Sequence, residues 1–320
     1  MMKTYGLIGL GNLGEKIAKN ILKNHFNLKI YDLDKNKSEA LKKKGAVVVK
    51  DINDIITDVD GIITCLPSPK ISTNVMMIEN KLLYKMSPGT VWIETSTTEV
   101  TELLKVSKEA TKYGINTIEA PVTGGVHKAE KGNITVLVGA NNDQFKIHKK
   151  ILKSFGGKIF LLGDVGSASI LKVITNMLAF ANLVGSVEGL MLAKMAGLDM
   201  TASYHAIQAS SGNSAEFETV APTILNGSFN TAFTLALACK DLKLMSELGK
   251  KYEIPMEFTN FIEKFFVKAK NKFGPNEWTP IFTKDYEKLA GKSLKTPNFP
   301  DKMMEYKEVV KYLNKMSNNG

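Results

Sequence analysis

Gly9, Gly11 and Gly14 form Gly-x-Gly-x-x-Gly, and Asp32 follows 18 residues after the last of them. Glycines at that spacing allow a tight turn at a strand end, close approach of a pyrophosphate to the backbone, and close packing of the next helix on the strand. The helix N-terminus adds amide donors and the favourable end of its dipole, and a carboxylate at Asp32 accepts hydrogen bonds from a ribose. The chemistry these residues suit is dinucleotide binding, by Gly9, Leu10, Gly11, Asn12, Leu13 and Gly14 together with Asp32. Asp32 would repel a 2′-phosphate, which favours NAD over NADP. Lys35 and Lys37 lie close by and work against that preference, so NADP stays open.

Three further sets of residues carry chemistry. Leu66-Pro67 and Ser96-Thr97 close two candidate strands, where open parallel sheets bind ligands, although Pro67 is equally explained as a strand end and Ser96 or Thr97 as a helix cap. Thr123-Gly124-Gly125 follows a strand and can turn consecutive amides inward beside a hydroxyl, an arrangement that binds a carboxylate without arginine. Lys172 stands in an otherwise apolar stretch, with Asn176 one helical turn later on the same face. A buried ammonium is costly unless it is paired or deprotonated, so the amine has either a chemical task or a route by which its stem reaches water.

These residues need a scaffold. The first half alternates short β-branched runs with helical stretches, the pattern of a parallel α/β sheet. Candidate strands are 4–9, 28–31, 46–49, 61–66, 90–94, 116–120, 135–139 and 158–162, and candidate helices are 13–24, 35–44, 70–79, 98–113 and 142–154. The expected architecture is an α/β N-terminal Rossmann domain with a doubly wound, mostly parallel sheet over 1–163. A long interdomain helix, from Ala168 to about Ala196, leads into an all-α C-terminal domain over 164–292, with breaks expected at Gly212, Pro222, Gly227, Pro255 and Gly274-Pro275. The lysine-rich tail, 293–320, reads as a peripheral helix or a partly ordered end.

Composition narrows the function. All 42 basic residues are lysine, and the net charge is +10. Without the planar arginine fork, an anion site must use lysine, hydroxyls or backbone amides. That argues against dehydrogenases that orient a 2-hydroxy acid with arginine and against arginine-based reading of guanine. Residues 161–239 hold only two lysines and five acidic residues, so a helix there must bury most of its circumference. Polar interruptions at Lys172, Asn176, Asn182, Glu188 and Lys194 argue against a membrane span. Cys65 and Cys239 cannot form a disulfide framework, the N-terminus lacks signal-peptide anatomy, and the expected compartment is the cytoplasm. His25, His127, His148 and His205 show no metal-ligand spacing, so no metal is expected.

Taken together, the motifs resemble those of the β-hydroxyacid dehydrogenase family, which includes 3-hydroxyisobutyrate dehydrogenase and tartronate semialdehyde reductase. The matching residues are Gly6-Leu7-Ile8-Gly9-Leu10-Gly11-Asn12-Leu13-Gly14, Ala120-Pro121-Val122-Thr123-Gly124-Gly125, Lys172 with Asn176, and Lys240-Asp241-Leu242. The resemblance implies hydride transfer between NAD(P) and a small hydroxy acid or its semialdehyde. It makes Lys172 the general acid and base, Asn176 a substrate holder, and Thr123, Gly124 and Gly125 the carboxylate anchor. Lys240 would serve substrate and cofactor from the second domain and lower the pKa of the Lys172 amine, while Phe233 lines that cleft or packs in the core. A homodimer or homotetramer is implied.

The chain departs from the family at Val126-His127-Lys128-Ala129, where a small glycine-alanine pair is usual, and at Asn213, where a bulkier basic residue is common. Lys128 either neutralises a second anionic group or faces solvent. The rival readings are a non-catalytic dinucleotide-dependent binder with a basic nucleic-acid-contacting surface, and an imine reductase. Lys172 and Asn176 argue for chemistry, and imine reductases usually lack the lysine.

Overall fold

The computed structural model describes residues 2–317, and the chain divides into two compact units, residues 1–173 and 174–320. The first unit is built on nine strands: β1 (Thr4–Ile8), β2 (Asn27–Tyr31), β3 (Val47–Val48), β4 (Gly61–Thr64), β5 (Val91–Glu94), β6 (Asn116–Glu119), β7 (Val122–Thr123), β8 (Ile134–Gly139) and β9 (Gly156–Gly163). Their order is β3-β2-β1-β4-β5-β6-β8-β7, with β9 paired to β8. Pairing is parallel from β3 through β6 and between β8 and β9, and antiparallel where β8 meets β6 and β7. The mostly parallel, doubly wound sheet expected from the alternation is present.

Alternation along each strand sends neighbouring side chains to opposite faces. Leu7, Ile63 and Ile93 enter one buried cluster, and Ile8, Ile62 and Trp92 enter the other. Among the described residues, six α-helices lie wholly within this unit: α1 (Gly14–Lys23), α2 (Lys35–Lys42), α3 (Pro69–Thr73), α4 (Val100–Lys112), α5 (Val126–Glu130) and α6 (Asn142–Phe155). Ile17 and Ile21 of α1 with Ile151 and Leu152 of α6 cover the first face, while Leu103 and Val106 of α4 cover the second. The stretch expected as one helix over 70–79 is α3 followed by a wider π turn over Asn74–Ile78.

Helix α7 (Ser167–Met195) begins in the first unit and continues into the second. It is long and apolar enough to cross a membrane by length and composition. Its residues Phe180, Leu183, Val184, Val187, Leu190 and Met191 are nevertheless buried in the core of the second unit. The remaining helices are α8 (Met200–Gln208), α9 (Ala215–Asn226), α10 (Leu235–Lys251), α11 (Glu257–Phe273), α12 (Thr283–Ala290) and α13 (Tyr306–Ser317).

Two expectations change here. Pro222 lies inside α9 rather than ending it. A proline leaves the carbonyl four residues earlier without its helical donor, and here Glu218 O accepts the Tyr204 hydroxyl at 2.8 Å instead. The segment after residue 292 contains the expected helix, α13 (Tyr306–Ser317), but it is anchored in the second core, where Leu294, Phe299, Val309 and Leu313 are buried. Its lysines had masked an apolar spacing of four, Val309 to Leu313, that buries one face of α13.

Candidate active site

The sheet order reverses beside β1, whose neighbours are β2 on one side and β4 on the other. In open α/β sheets that reversal leaves a crevice at the carboxyl ends of the strands. The turn after β1 occupies it. Gly9 has φ +97°, and a Cβ there would meet the Cys65 carbonyl oxygen at 2.3 Å. A Cβ at Gly14 would meet the Gly9 carbonyl oxygen at 2.0 Å, which is the close approach of α1 to β1. Gly11 differs from both: an added Cβ would meet nothing within 4 Å, so protein packing does not demand that glycine. The N-cap residue of α1, Leu13, supplies no side-chain acceptor to the helix amides. Asp32, at the end of β2, accepts from the Leu10 amide at 2.5 Å through Oδ2 and from the Asp34 amide at 2.8 Å through Oδ1. A glycine that packing within the chain does not require, beside a helix start whose N-cap side chain takes no amide and a fixed carboxylate, fits a dinucleotide.

The neighbouring strand ends are tied to one another. The Leu66 amide donates to Ser96 Oγ at 2.8 Å, and the Ser96 amide donates to Glu94 Oε1 at 2.8 Å. Glu94 is buried at the end of β5 and also accepts the Ser72 hydroxyl. Burial pushes its carboxyl above the ordinary range, against the pull of these donors. Desolvation also pushes the Cys65 thiol up to about 12, so Cys65 presents no thiolate at neutral pH.

The Thr123-Gly124-Gly125 loop leaves β7, where Thr123 pairs with Thr135 of β8. Gly124 and Gly125 have φ of +112° and +89°, and Gly125 is the N-cap of α5. A Cβ at Gly124 would sit 3.2 Å from Lys128 Cδ, so the Lys128 stem folds back over the loop and the residue is half-buried.

Sequence reasoning missed the carboxylate that precedes this loop. Glu119, fully buried at the end of β6, reaches the start of α7. Its Oε1 accepts from the Gly166 amide at 2.6 Å and the Ala168 amide at 2.7 Å. Its Oε2 accepts from the Ser169 amide at 3.0 Å and the Ser169 hydroxyl at 2.5 Å. Ser169 Oγ is also 3.2 Å from Thr98 Oγ1. Burial raises the Glu119 carboxyl above its ordinary value, while the four donors lower it. Lys172 follows Ser169 in the next turn and is 8% exposed.

A second cluster belongs to the second unit. Asn176, 9% exposed on α7, donates through Nδ2 to Asp241 Oδ2 at 2.5 Å. The other oxygen of Asp241 lies 3.1 Å from Lys240 Nζ. Asp241, 1% exposed, thus links two residues that the sequence had singled out separately; its place in Lys240-Asp241-Leu242 was the available signal. Phe233 packs on Phe180, with ring centroids 5.9 Å apart, beside the second core. Among the described residues there is no group of three or more His, Cys, Asp or Glu placed to hold a metal ion.

The chain is similar to known proteins over most of its length. The family model described as the NAD-binding domain of 6-phosphogluconate dehydrogenase matches residues 4–163. A second, described as the NAD-binding domain of NADP-dependent 3-hydroxyisobutyrate dehydrogenase, matches residues 166–279. The chain is 30% identical over 290 residues to 2-(hydroxymethyl)glutarate dehydrogenase of Eubacterium barkeri, spanning 90% of this chain and 96% of that protein. It is 31% identical over 258 residues to the mitochondrial 3-hydroxyisobutyrate dehydrogenase of Rattus norvegicus, spanning 78% of this chain and 77% of the relative. The crystal structure of a 3-hydroxyisobutyrate dehydrogenase from Salmonella typhimurium shares the fold, with a TM-score of 0.82 at 23% identity over 88% of this chain and 99% of that one. With two family models in sequence along it and relatives matched over most of their length, the chain belongs to the β-hydroxyacid dehydrogenase family.

Proposed function

We propose that this dehydrogenase prefers NAD and acts on a small β-hydroxy acid or its semialdehyde, with Lys172 as the general acid and base. The observation that carries the reading is a lysine, 8% exposed, in the early turns of a helix whose start is fastened to the strand that leads into the carboxylate-binding loop. A lysine held beside the reacting oxygen can serve as general acid in one direction and general base in the other. In the reducing direction, Lys172 Nζ gives a proton to the carbonyl oxygen; in the oxidising direction the neutral amine takes the hydroxyl proton. Nicotinamide dinucleotide supplies or accepts the hydride when bound.

Gly9, Leu10, Gly11, Asn12, Leu13 and Gly14 hold the pyrophosphate and Asp32 the ribose, while Leu66, Pro67, Ser96 and Thr97 line the cofactor side. Thr123, Gly124 and Gly125 anchor the substrate carboxylate, so the reacting carbon is placed by positioning alone. Asn176 orients the substrate, held in turn by Asp241, with Lys240 on the same carboxylate. Phe233 serves the core and, beside it, the cofactor pocket. Replacing Lys172→Ala should lower turnover by roughly 10²- to 10⁴-fold while NADH affinity, read by fluorescence titration, stays within about twofold. Unchanged turnover would overturn the assignment, and tighter binding of NADPH than NADH would overturn the cofactor preference.

A second reading, in which Lys128 neutralises a second anionic group rather than facing solvent, extends the substrate to a hydroxy dicarboxylic acid; the Lys128 stem lies against Gly124 of the loop. A relative named for acting on 2-(hydroxymethyl)glutarate is consistent with that class. In a substrate panel followed by NADH absorbance, Lys128→Ala should raise KM about tenfold for the dicarboxylate and leave monocarboxylates unchanged. Equal effects on both would assign Lys128 to the loop's structure alone.

A further inference from the structure

We propose that Glu119 is a positioning residue: by clamping the N-terminus of α7 to the end of β6, it fixes Lys172 relative to the Thr123–Gly125 loop. The proposal rests on the reading of Lys172 as the proton-transfer group. Glu119 heads the run Ala120-Pro121-Val122-Thr123-Gly124-Gly125, so the backbone of its own strand becomes the substrate loop within four residues. Its side chain holds the other partner, the helix that carries Lys172.

A helix start leaves its first four amides without helical partners. Here the Ser167 amide is taken by the Asp164 carbonyl at 3.1 Å, and Glu119 takes those of Gly166, Ala168 and Ser169. A single carboxylate therefore satisfies three of them, and the Ser169 hydroxyl besides. Both oxygens receive donors, the pattern suited to an ionised carboxylate, and its charge sits at the positive end of the helix dipole. These contacts bridge 47 to 50 positions of sequence. Local sequence therefore does not dictate them; the folded sheet brings the two ends together.

Gly139 supports the assignment independently. It lies opposite Glu119 in the ladder between β6 and β8. A Cβ at Gly139 would fall 2.0 Å from Glu119 Oε1 and 2.7 Å from its carboxyl carbon. Its φ lies outside the left-handed region, so the backbone does not require glycine there. The missing side chain serves the path of the carboxylate from β6 to α7.

Three substitutions disturb the clamp to different degrees. Glu119→Gln sets an amide donor against backbone donors, Gly139→Ala pushes the carboxylate aside without changing its charge, and Ser169→Ala removes one of the four donors. Turnover is measured per NADH-binding site, so misfolded protein drops out of the ratio. A displacement of the order of 1 Å at a reacting group costs on the order of 100-fold in rate. We expect roughly 10- to 100-fold loss of kcat for Glu119→Gln and Gly139→Ala, a smaller loss for Ser169→Ala, and NADH affinity within about twofold throughout. In a Lys172→Ala background, Glu119→Gln should cause little further loss, because the group it positions is gone. If Glu119→Gln fails to fold, the other two variants carry the same test. Normal turnover per site in the variants, or equal proportional losses with and without Lys172, overturns the positioning role. Full activity of Lys172→Ala alone overturns the underlying reading instead.

Discussion

Gly11 and Gly14 sit three residues apart in one turn and answer to different forces. At Gly14 an added methyl would collide with the Gly9 carbonyl oxygen, whereas at Gly11 it would meet no protein atom. Gly14→Ala should therefore lower stability by about 1–3 kcal/mol through overpacking and also weaken NADH binding. Gly11→Ala should leave the melting temperature near that of the parent and lose NADH affinity by tenfold or more, since the substitution blocks only an approaching pyrophosphate. A Gly11→Ala protein that binds NADH normally would show that the turn is a bare strand-to-helix connection. The glycine spacing made this pair legible in the sequence, because turn geometry is local. Asp241 and Glu119 were not legible as partners of Asn176 and Ser169. Each is a carboxylate beside a recognised motif, but its partner lies 65 or 50 positions away and is met only after folding.

At the scale of elements, β-branched runs such as Gly61–Thr64 and Val91–Glu94 announced the central strands because both of their faces are buried. The two-residue β7 was not announced. Val122–Thr123 follows Pro121 and is held by pairing with β8, a tertiary contact rather than a local preference. A similar contact joins β1 to α6, where the Tyr5 hydroxyl lies 3.0 Å from His148 Nδ1 in a buried pair. Burial lowers the His148 pKa from 6.5 to about 4. Between those values the unfolded chain binds a proton that the folded chain excludes, so this group makes stability fall as pH drops through that window. Glu94 and Glu119 oppose it: burial raises their pKa, so protonation on acidification favours their folded form. His148→Gln keeps a side-chain partner for Tyr5 and removes the titration. In urea unfolding between about pH 7 and about pH 4.5, the parent should lose about 2 kcal/mol relative to this variant. Parallel pH profiles for the two proteins would contradict the assignment.

At the scale of the whole chain, the near-absence of charge between residues 161 and 239 predicted a helix buried over most of its circumference, whereas only 39% of the apolar stretch of α7 is buried. It left open which surface stays bare. Along α7, Leu178 and Leu192 are 52% and 72% exposed, and Gly185 and Gly189 fall between them on the same face at helical spacing. Methyl groups added at either glycine would meet nothing within 4 Å, so packing inside the chain does not require these small residues. Apolar side chains flanking glycines on an exposed helix face suit the close approach of a second helix. The homodimer or homotetramer that the resemblance implies would place this face against another copy. Light scattering on the eluting protein should then give a mass at least twice 35.2 kDa. Leu192→Lys should shift that mass toward the monomer while the melting transition of the first unit, followed through NADH-dependent stabilisation, persists. A parent protein that elutes as a monomer at micromolar concentration would refute self-association, and an oligomer indifferent to Leu192→Lys would move the interface to another face.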